Sequence, residues 1–233
     1  MSVVKTTKTP KTENIFVIIK NNPLFSGIGR GELEKIFGCV NARTRRYKKN
    51  ECILLSGDTV DFVGLVLSGG VNIIKEDIDG NSMILAGLAE SEIFGEAFAC
   101  AGIDSSPVTV QASVDCEILF IGYKRIISVC PSACEAHTKL IENMLRLLAQ
   151  KNLMLNKKIE ILSKRTTREK LLLFFNAQRG TAKKFSIPYN REELARYLCV
   201  DRSAMSNELC KMRDEGLLRF RKNEFEILSI PKT

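Results

Sequence analysis

Apolar residues recur with different periods in different parts of the 233-residue chain. From about residue 132 to 162 the period is helical. Ile141, Leu148, Leu155 and Leu162 stand seven apart, and Leu145, Asn152 and Ile159 fall four residues after the first three. The alternation by four and three is the a/d seam of a coiled coil, and one Asn on such a seam fixes register and favours two strands. Leu140, Met144, Leu147, Met154 and Ile161 form a second stripe beside it, which needs another partner, most simply the β domain before it. A second copy in a parallel homodimer satisfies the seam; so would burial of the whole helix inside one chain. The regular repeat favours the homodimer.

Upstream the pattern shortens. After two short helices predicted at about 14–20 and 30–38, residues 41–121 read as short strands broken by turns. Ser-Gly-Asp, Ser-Gly-Gly and Asp-Gly signals recur roughly every ten residues, the spacing of a sandwich or jelly roll. "VNIIKEDIDGNSMILAGL" predicts a hairpin with Asp79-Gly80 near its turn.

Downstream, "NREELARYL" (190–198) predicts a short helix, with Asn190 as its cap and Glu193 where a capping box places an acid. A second helix follows within "LCVDRSAMSNELCKMRDEGLL" (198–218), capped by Asp201. Met205, Leu209 and Met212 lie on one face of it, while Arg202, Ser203, Ser206 and Asn207 lie on the other. A guanidinium, two hydroxyls and an amide suit base edges and phosphate oxygens. Two short helices joined by a tight turn make a helix-turn-helix, whose second helix enters the major groove. "LLRFRKNEFEIL" (217–228) then predicts a hairpin wing around Lys222-Asn223, with Arg219, Arg221 and Lys222 along a phosphate backbone. Arg191, at the start of the first helix, joins the same set.

The expected fold is therefore α+β. It has N-terminal helices and a β-roll over 1–131, a long dimerisation helix over 132–163, and a winged helix-turn-helix over 164–233. A hinge is expected around Ser163–Thr167.

Charge sharpens this division. Residues 164–233 hold 16 Lys and Arg against 9 Asp and Glu, while residues 1–163 hold 19 against 18. Almost all of the net +8 thus sits in the last third, an electrostatic footprint for a polyanion. A membrane surface would attract it too, but no run of 18 apolar residues exists and no signal peptide opens the chain. A cytoplasmic location is expected. The eight cysteines, at 39, 52, 100, 116, 130, 134, 199 and 210, form no CxxC pair, and reduced, mostly buried thiols are expected. A single histidine, no P-loop and no Ser-His-Asp order argue against an enzyme.

Nearly the whole chain resembles the Crp/Fnr family of bacterial transcription regulators. The matching stretches are "SGDTVDFVGLVLSGGVNIIKEDIDGNSMILAGL", "IFGEAFACAG", "VTVQASVDCEILFIGYKRI" and "NREELARYLCVDRSAMSNELCKMRDEGLL". The resemblance implies a cyclic-nucleotide-binding-type roll, a dimer helix and DNA contacts by Arg202, Ser203, Ser206 and Asn207. It also implies double-stranded DNA, RNA polymerase, a second copy and a small-molecule effector as partners. Where Asn207 stands, family members that read guanine-rich half-sites commonly carry Arg, and Ser203 replaces a Glu of many relatives. The competing reading is a ligand-binding module whose C-terminal domain contacts protein.

For the effector pocket the resemblance points to Gly95, Glu96, Ser106, Leu153 and Met154. Relatives that bind cyclic AMP follow Gly-Glu by Arg-Ser about ten residues on, and the arginine holds the cyclic phosphate. Here Ser106-Pro107 fall at those positions and the dimer helix offers apolar Leu153-Met154, so cyclic AMP is not expected to bind. Glu96 can hold a ligand or satisfy turn amides. No cysteine cluster precedes the roll, so an iron–sulfur cluster is not expected either. Cys130, Cys134 and His137, spaced i, i+4, i+7, could hold a soft metal or simply pack under the roll. The effector's identity stays open.

Overall fold

A computed structural model describes residues 12–20, 22–77, 82–128 and 135–229. The chain divides into two compact units, with the boundary between Ala149 and Gln150.

The first unit opens with α1 (Thr12–Ile19), a 3-10 turn (Pro23–Phe25) and α2 (Arg30–Cys39). Eight strands follow: β1 (Arg43–Tyr47), β2 (Cys52–Leu54), β3 (Phe62–Ser68), β4 (Val71–Glu76), β5 (Ser82–Leu88), β6 (Ile93–Phe94), β7 (Thr109–Ala112) and β8 (Cys116–Gly122). They form two four-stranded antiparallel sheets, ordered β1-β8-β3-β6 and β2-β7-β4-β5. A short helix, α3 (Glu96–Ala101), lies between β6 and β7, and another, α4 (Tyr123–Ile127), follows β8. This is the expected roll. Strand β3 is an unbroken apolar run because both its faces are covered. Val63, Leu65 and Leu67 join a core with Ile19, Leu33 and Ile36 of the helices, while Val66 faces Val71, Val110 and Ile118 between the sheets. At Gly64 a Cβ would lie 2.3 Å from the Phe94 ring, so only glycine lets that ring close the roll. The β4–β5 hairpin is present; its turn, with Asp79-Gly80, lies outside the described residues. Strand β5 is a sheet edge, and its Met83, Ile84 and Leu85 are exposed.

Helix α5 (Glu135–Leu162) is the long predicted helix, and its two stripes behave differently. Leu140, Met144 and Leu147 are buried in the first unit's core, and Asn143 anchors the same face by donating to the Leu24 and Ser26 carbonyls at 3.1 and 2.8 Å. Ile161 belongs to the second unit's core. Met154, expected in the same buried stripe, is instead 71% exposed. One helix face cannot serve as core throughout when its two ends pack into different units. Along the predicted seam Leu145, Leu155 and Ile159 are 63, 61 and 63% exposed, Asn152 is exposed, and Ile141, Leu148 and Leu162 are half-buried. A single chain thus leaves Leu145, Asn152, Leu155 and Ile159 of the seam exposed, while Leu148 packs against the first unit's core.

The second unit contains α6 (Thr167–Arg179), β9 (Lys184–Ser186), α7 (Arg191–Leu198), α8 (Arg202–Asp214), β10 (Leu218–Arg221) and β11 (Glu224–Ile227). Its strands pair in the order β10-β11-β9. Leu171, Phe174, Leu194, Leu198, Met205, Leu209 and Met212 meet in one core under the three helices. Residues 163–166 break the helix between α5 and α6, where the hinge is expected. Thr166 and Glu169 then form a capping box that starts α6.

Candidate functional site

In the helix-turn-helix, each local signal has its geometric counterpart. Asn190 Oδ1 accepts the Glu193 amide at 2.9 Å and Glu193 Oε2 accepts the Asn190 amide at 2.8 Å, which starts α7. Cys199, at φ 51°, ends α7 in the left-handed region and turns the chain. Asp201 Oδ1 accepts the Ala204 amide at 2.8 Å and starts α8. With Met205, Leu209 and Met212 fully buried, the opposite face must point outward. Arg202, Ser203 and Asn207 are exposed there and Ser206 partly so. Arg202 stands 3.6 Å from Glu192 of α7, a contact between exposed groups that a phosphate can displace.

The wing is held to these helices by rings and guanidinium groups. Arg191 lies over Phe220 and Phe225, at 4.8 and 5.0 Å from their centroids, and Arg213 lies 5.9 Å from Phe220. Burial pushes the Arg191 guanidinium below its ordinary value. Arg191, expected among the DNA contacts, thus sits half-buried against the wing. Arg219, Arg221 and Lys222 are exposed on the hairpin, and Lys222 occupies its tip at φ 53°. Behind the tip Asn223 donates to the Ile187 carbonyl at 3.1 Å.

Three features of this unit escaped the sequence, the first being helix α6 itself, since no helix is predicted over Thr167–Arg179. Strand β9 is only three residues long and too short for a periodicity signal. Arg168 on α6 pairs with both Glu208, in the middle of α8, and Glu215, the residue that caps its C-terminus. Those partners lie 40 and 47 residues away, so nothing local announces them. The pairing ties α6 to α8 and its C-cap.

In the roll, Gly95 has φ 81°, and a Cβ there would lie 3.1 Å from the Phe62 carbonyl. Glu96 begins α3 and is buried at 4% exposure. Ser106 is 2% exposed and does not present its hydroxyl outward. Its Oγ donates to the Val108 carbonyl at 2.6 Å, its amide donates to Asp58, and its carbonyl accepts from Gly57. Ser106 therefore holds a turn together. Leu153 and Met154 are exposed and fall in the other unit. Cys130 and Cys134 lie outside the described residues. His137 is buried, and its Nε2 donates to the Ile126 carbonyl at 2.7 Å, while Nδ1 has no hydrogen-bond partner among the described residues. Among the described residues no three His, Cys, Asp or Glu side chains gather as metal ligands, and no helix is long and apolar enough to cross a membrane.

A double-sheet roll followed by a winged helix-turn-helix defines a class of DNA-binding regulator. Residues 44–132 match the cyclic nucleotide-binding domain, and residues 169–232 match the Crp-like helix-turn-helix domain. The chain belongs to the Crp/Fnr family of transcription regulators, which are not enzymes. It is 27% identical over 195 residues to the transcriptional activator protein FnrA of Stutzerimonas stutzeri, covering 80% of this chain and 77% of that one. It is 23% identical over 204 residues to the CRP-like protein Clp of Xanthomonas campestris, covering 82% and 85%. Among solved structures, the catabolite activator protein of Thermus thermophilus shares the fold at a TM-score of 0.52 and 23% identity, over 88% of this chain and 93% of that one. The c-di-GMP responsive regulator CLP of Xanthomonas campestris does so at 0.53 and 20%, over 87% and 100%.

Proposed function

We propose that the protein works in the cytoplasm as a homodimeric, sequence-specific DNA-binding regulator whose roll receives a small-molecule effector. The reading rests above all on the face of α8. Its inner residues are fully buried, and its outer residues are a guanidinium, two hydroxyls and an amide beside a basic wing. The open seam on α5 supplies the reason for a dimer, since exposed leucines at 4-3 spacing are buried by a second identical helix. Two copies present two reading helices to paired half-sites about one helical turn apart, some 34–36 Å. RNA polymerase is the natural further partner of a regulator that acts on transcription.

Effector control is a population shift: a ligand that binds one arrangement of the dimer better than another changes the spacing of its reading heads. The relatives support a small molecule in this role, because Vfr of Pseudomonas aeruginosa is a cAMP-activated regulator and the Xanthomonas protein responds to c-di-GMP. Cyclic AMP itself is not the effector proposed here, since a buried Ser106 with its hydroxyl engaged replaces the cation that would hold the phosphate.

Selection of a binding site from random duplexes tests the reading. The expected winner is a near-palindrome bound by two chains. Enrichment of no sequence, or of an asymmetric site bound by one chain, would overturn it.

A further inference from the structure

Strand β1 carries the sequence RTRRY, and its three arginines are not equivalent. Arg46 points to one face of the sheet and pairs with Glu117 at 3.2 Å. Arg43 and Arg45 point to the other face, in register with Phe120 and Ile118 of β8. Neither has a carboxylate partner among the described residues. Arg43 Nε donates only to the Asn41 side chain at 3.3 Å, and Arg45 lies 5.9 Å from the Tyr47 ring. Both stand over a cavity of about 340 Å³, whose walls are Tyr47, Phe62 and Phe120, with Ile53 from the facing sheet. The three rings meet edge to face, at 6.3 Å for Tyr47–Phe120 and 4.9 Å for Phe62–Phe120.

We propose that this cavity is a binding site for a small aromatic carboxylate. Two arginines without a carboxylate, two residues apart on a strand, project from Cα atoms about 7 Å apart on the same side of the sheet. They fit one planar anion, which a guanidinium holds by two parallel hydrogen bonds. An edge-to-face ring cluster presents a slot for a flat apolar body. The volume lies at the lower end of the roughly 300–1,000 Å³ of small-molecule sites, enough for one or two fused rings. Asp61 lines the cavity two strands away from β1, so the far end carries a negative group. That charge selects against a multiply charged phosphate and favours a ligand with one carboxylate and a neutral or donor-bearing far edge. Burial pushes the Tyr47 phenol up against the opposing Arg45 guanidinium, which also hydrogen-bonds to it; the phenol is neutral at pH 7, as an ordinary tyrosine is, and can donate. None of Gly95, Glu96 and Ser106 lines this cavity, yet its wall residue Phe62 touches that region. The Phe62 and Phe94 rings are 6.3 Å apart, and the Phe62 carbonyl closes over Gly95. The site goes beyond the regulator reading and does not depend on it.

Calorimetry on the full chain at pH 7 with 2-naphthoate and its neutral analogue 2-naphthamide decides the matter. The expected result is binding of the carboxylate at least about tenfold tighter than the amide. The R43Q/R45Q variant should lose that preference with an unchanged melting midpoint, since both side chains are exposed. Ile53→Phe, which fills the cavity and leaves the arginines in place, should lose binding of both compounds. The proposal is overturned by no heat from the wild type at millimolar ligand, by equal affinity for both compounds, or by full retention of naphthoate affinity in R43Q/R45Q. A DNA gel shift on the same samples separates the two claims. No naphthoate binding by the wild type with intact DNA binding sinks this site alone, and naphthoate binding by a wild type that retains no duplex sinks the regulator reading alone.

Discussion

Arg168 and Glu215 meet through two parallel hydrogen bonds, Nη1 to Oε2 and Nη2 to Oε1, each 2.7 Å long. The Arg168 Nε is taken by Glu208, so one guanidinium spends three donors on α8 and its C-cap. Its planar fork fits this arrangement and an ammonium does not. Arg168→Ala should lower the melting midpoint of the DNA-binding unit, and Arg168→Lys should recover only part of the loss. Equal midpoints for wild type and Arg168→Ala, by circular dichroism, would count against a positioning role.

The same pair predicts a pH dependence. The hydrogen bond from Arg168 holds the Glu215 carboxyl below the usual carboxylate range. A group whose folded pKa is depressed stabilises the fold above its unfolded pKa, and the contribution fades as pH falls through the folded value. Wild type should therefore lose more stability than Glu215→Gln between neutral and acid pH. Parallel acid-melting curves for the two proteins would refute this.

Reading and anchoring residues should fail differently on DNA. If Arg202 pairs with a base, Arg202→Ala should cost about 1–3 kcal/mol and relax preference at one position of each half-site. Lys222→Ala should weaken all sequences alike and flatten the slope of log K against log salt by about 0.9 for each phosphate no longer neutralised. Titrations of matched and mismatched duplexes at several salt concentrations measure both effects. An unchanged sequence preference in Arg202→Ala would remove the face of α8 from the role of reading head.

How much of this was visible in the chain depends on the range of the interactions. Asn190, Glu193 and Asp201 act within three residues of themselves, so their caps and both helices could be read directly. The β4–β5 pairing and the wing are hairpins, also local. What could not be read is long-range: the Arg168 pairing across more than forty residues, and the ring contacts that draw Arg191 onto the wing. The roll site shows a different limit. Gly95-Glu96 could be read as a motif, but whether the Ser106 hydroxyl is offered or consumed depends on its burial. The alternating arginines of β1 were in plain view, yet without the pairing register nothing tied them to Phe120 and Tyr47.

The α5 seam predicts assembly. Light scattering at micromolar concentration should give about twice the chain mass of 26.1 kDa. Leu155→Glu should shift the protein towards the monomer, because it places like charges where two leucines would meet. Asn152→Leu should keep or raise stability while loosening the choice of oligomer. A clean monomer in the wild type would end the dimer reading.

Cyclic AMP should give no binding heat at micromolar concentrations. Ser106→Arg should not restore it, since the new side chain would replace a hydroxyl that closes a buried turn, and the variant should melt lower than wild type. Micromolar binding of cyclic AMP to the wild type would overturn the assignment.

Strand β5 has a bearing on how the protein survives in a crowded cell. Its seven residues, SMILAGL, contain no charge and no proline, the devices that usually guard a sheet edge, and three of its large side chains face outward. The roll therefore keeps an uncharged apolar ribbon open along one sheet edge. Each minute spent half-made or cleaved short is an opportunity for edge-to-edge clumping.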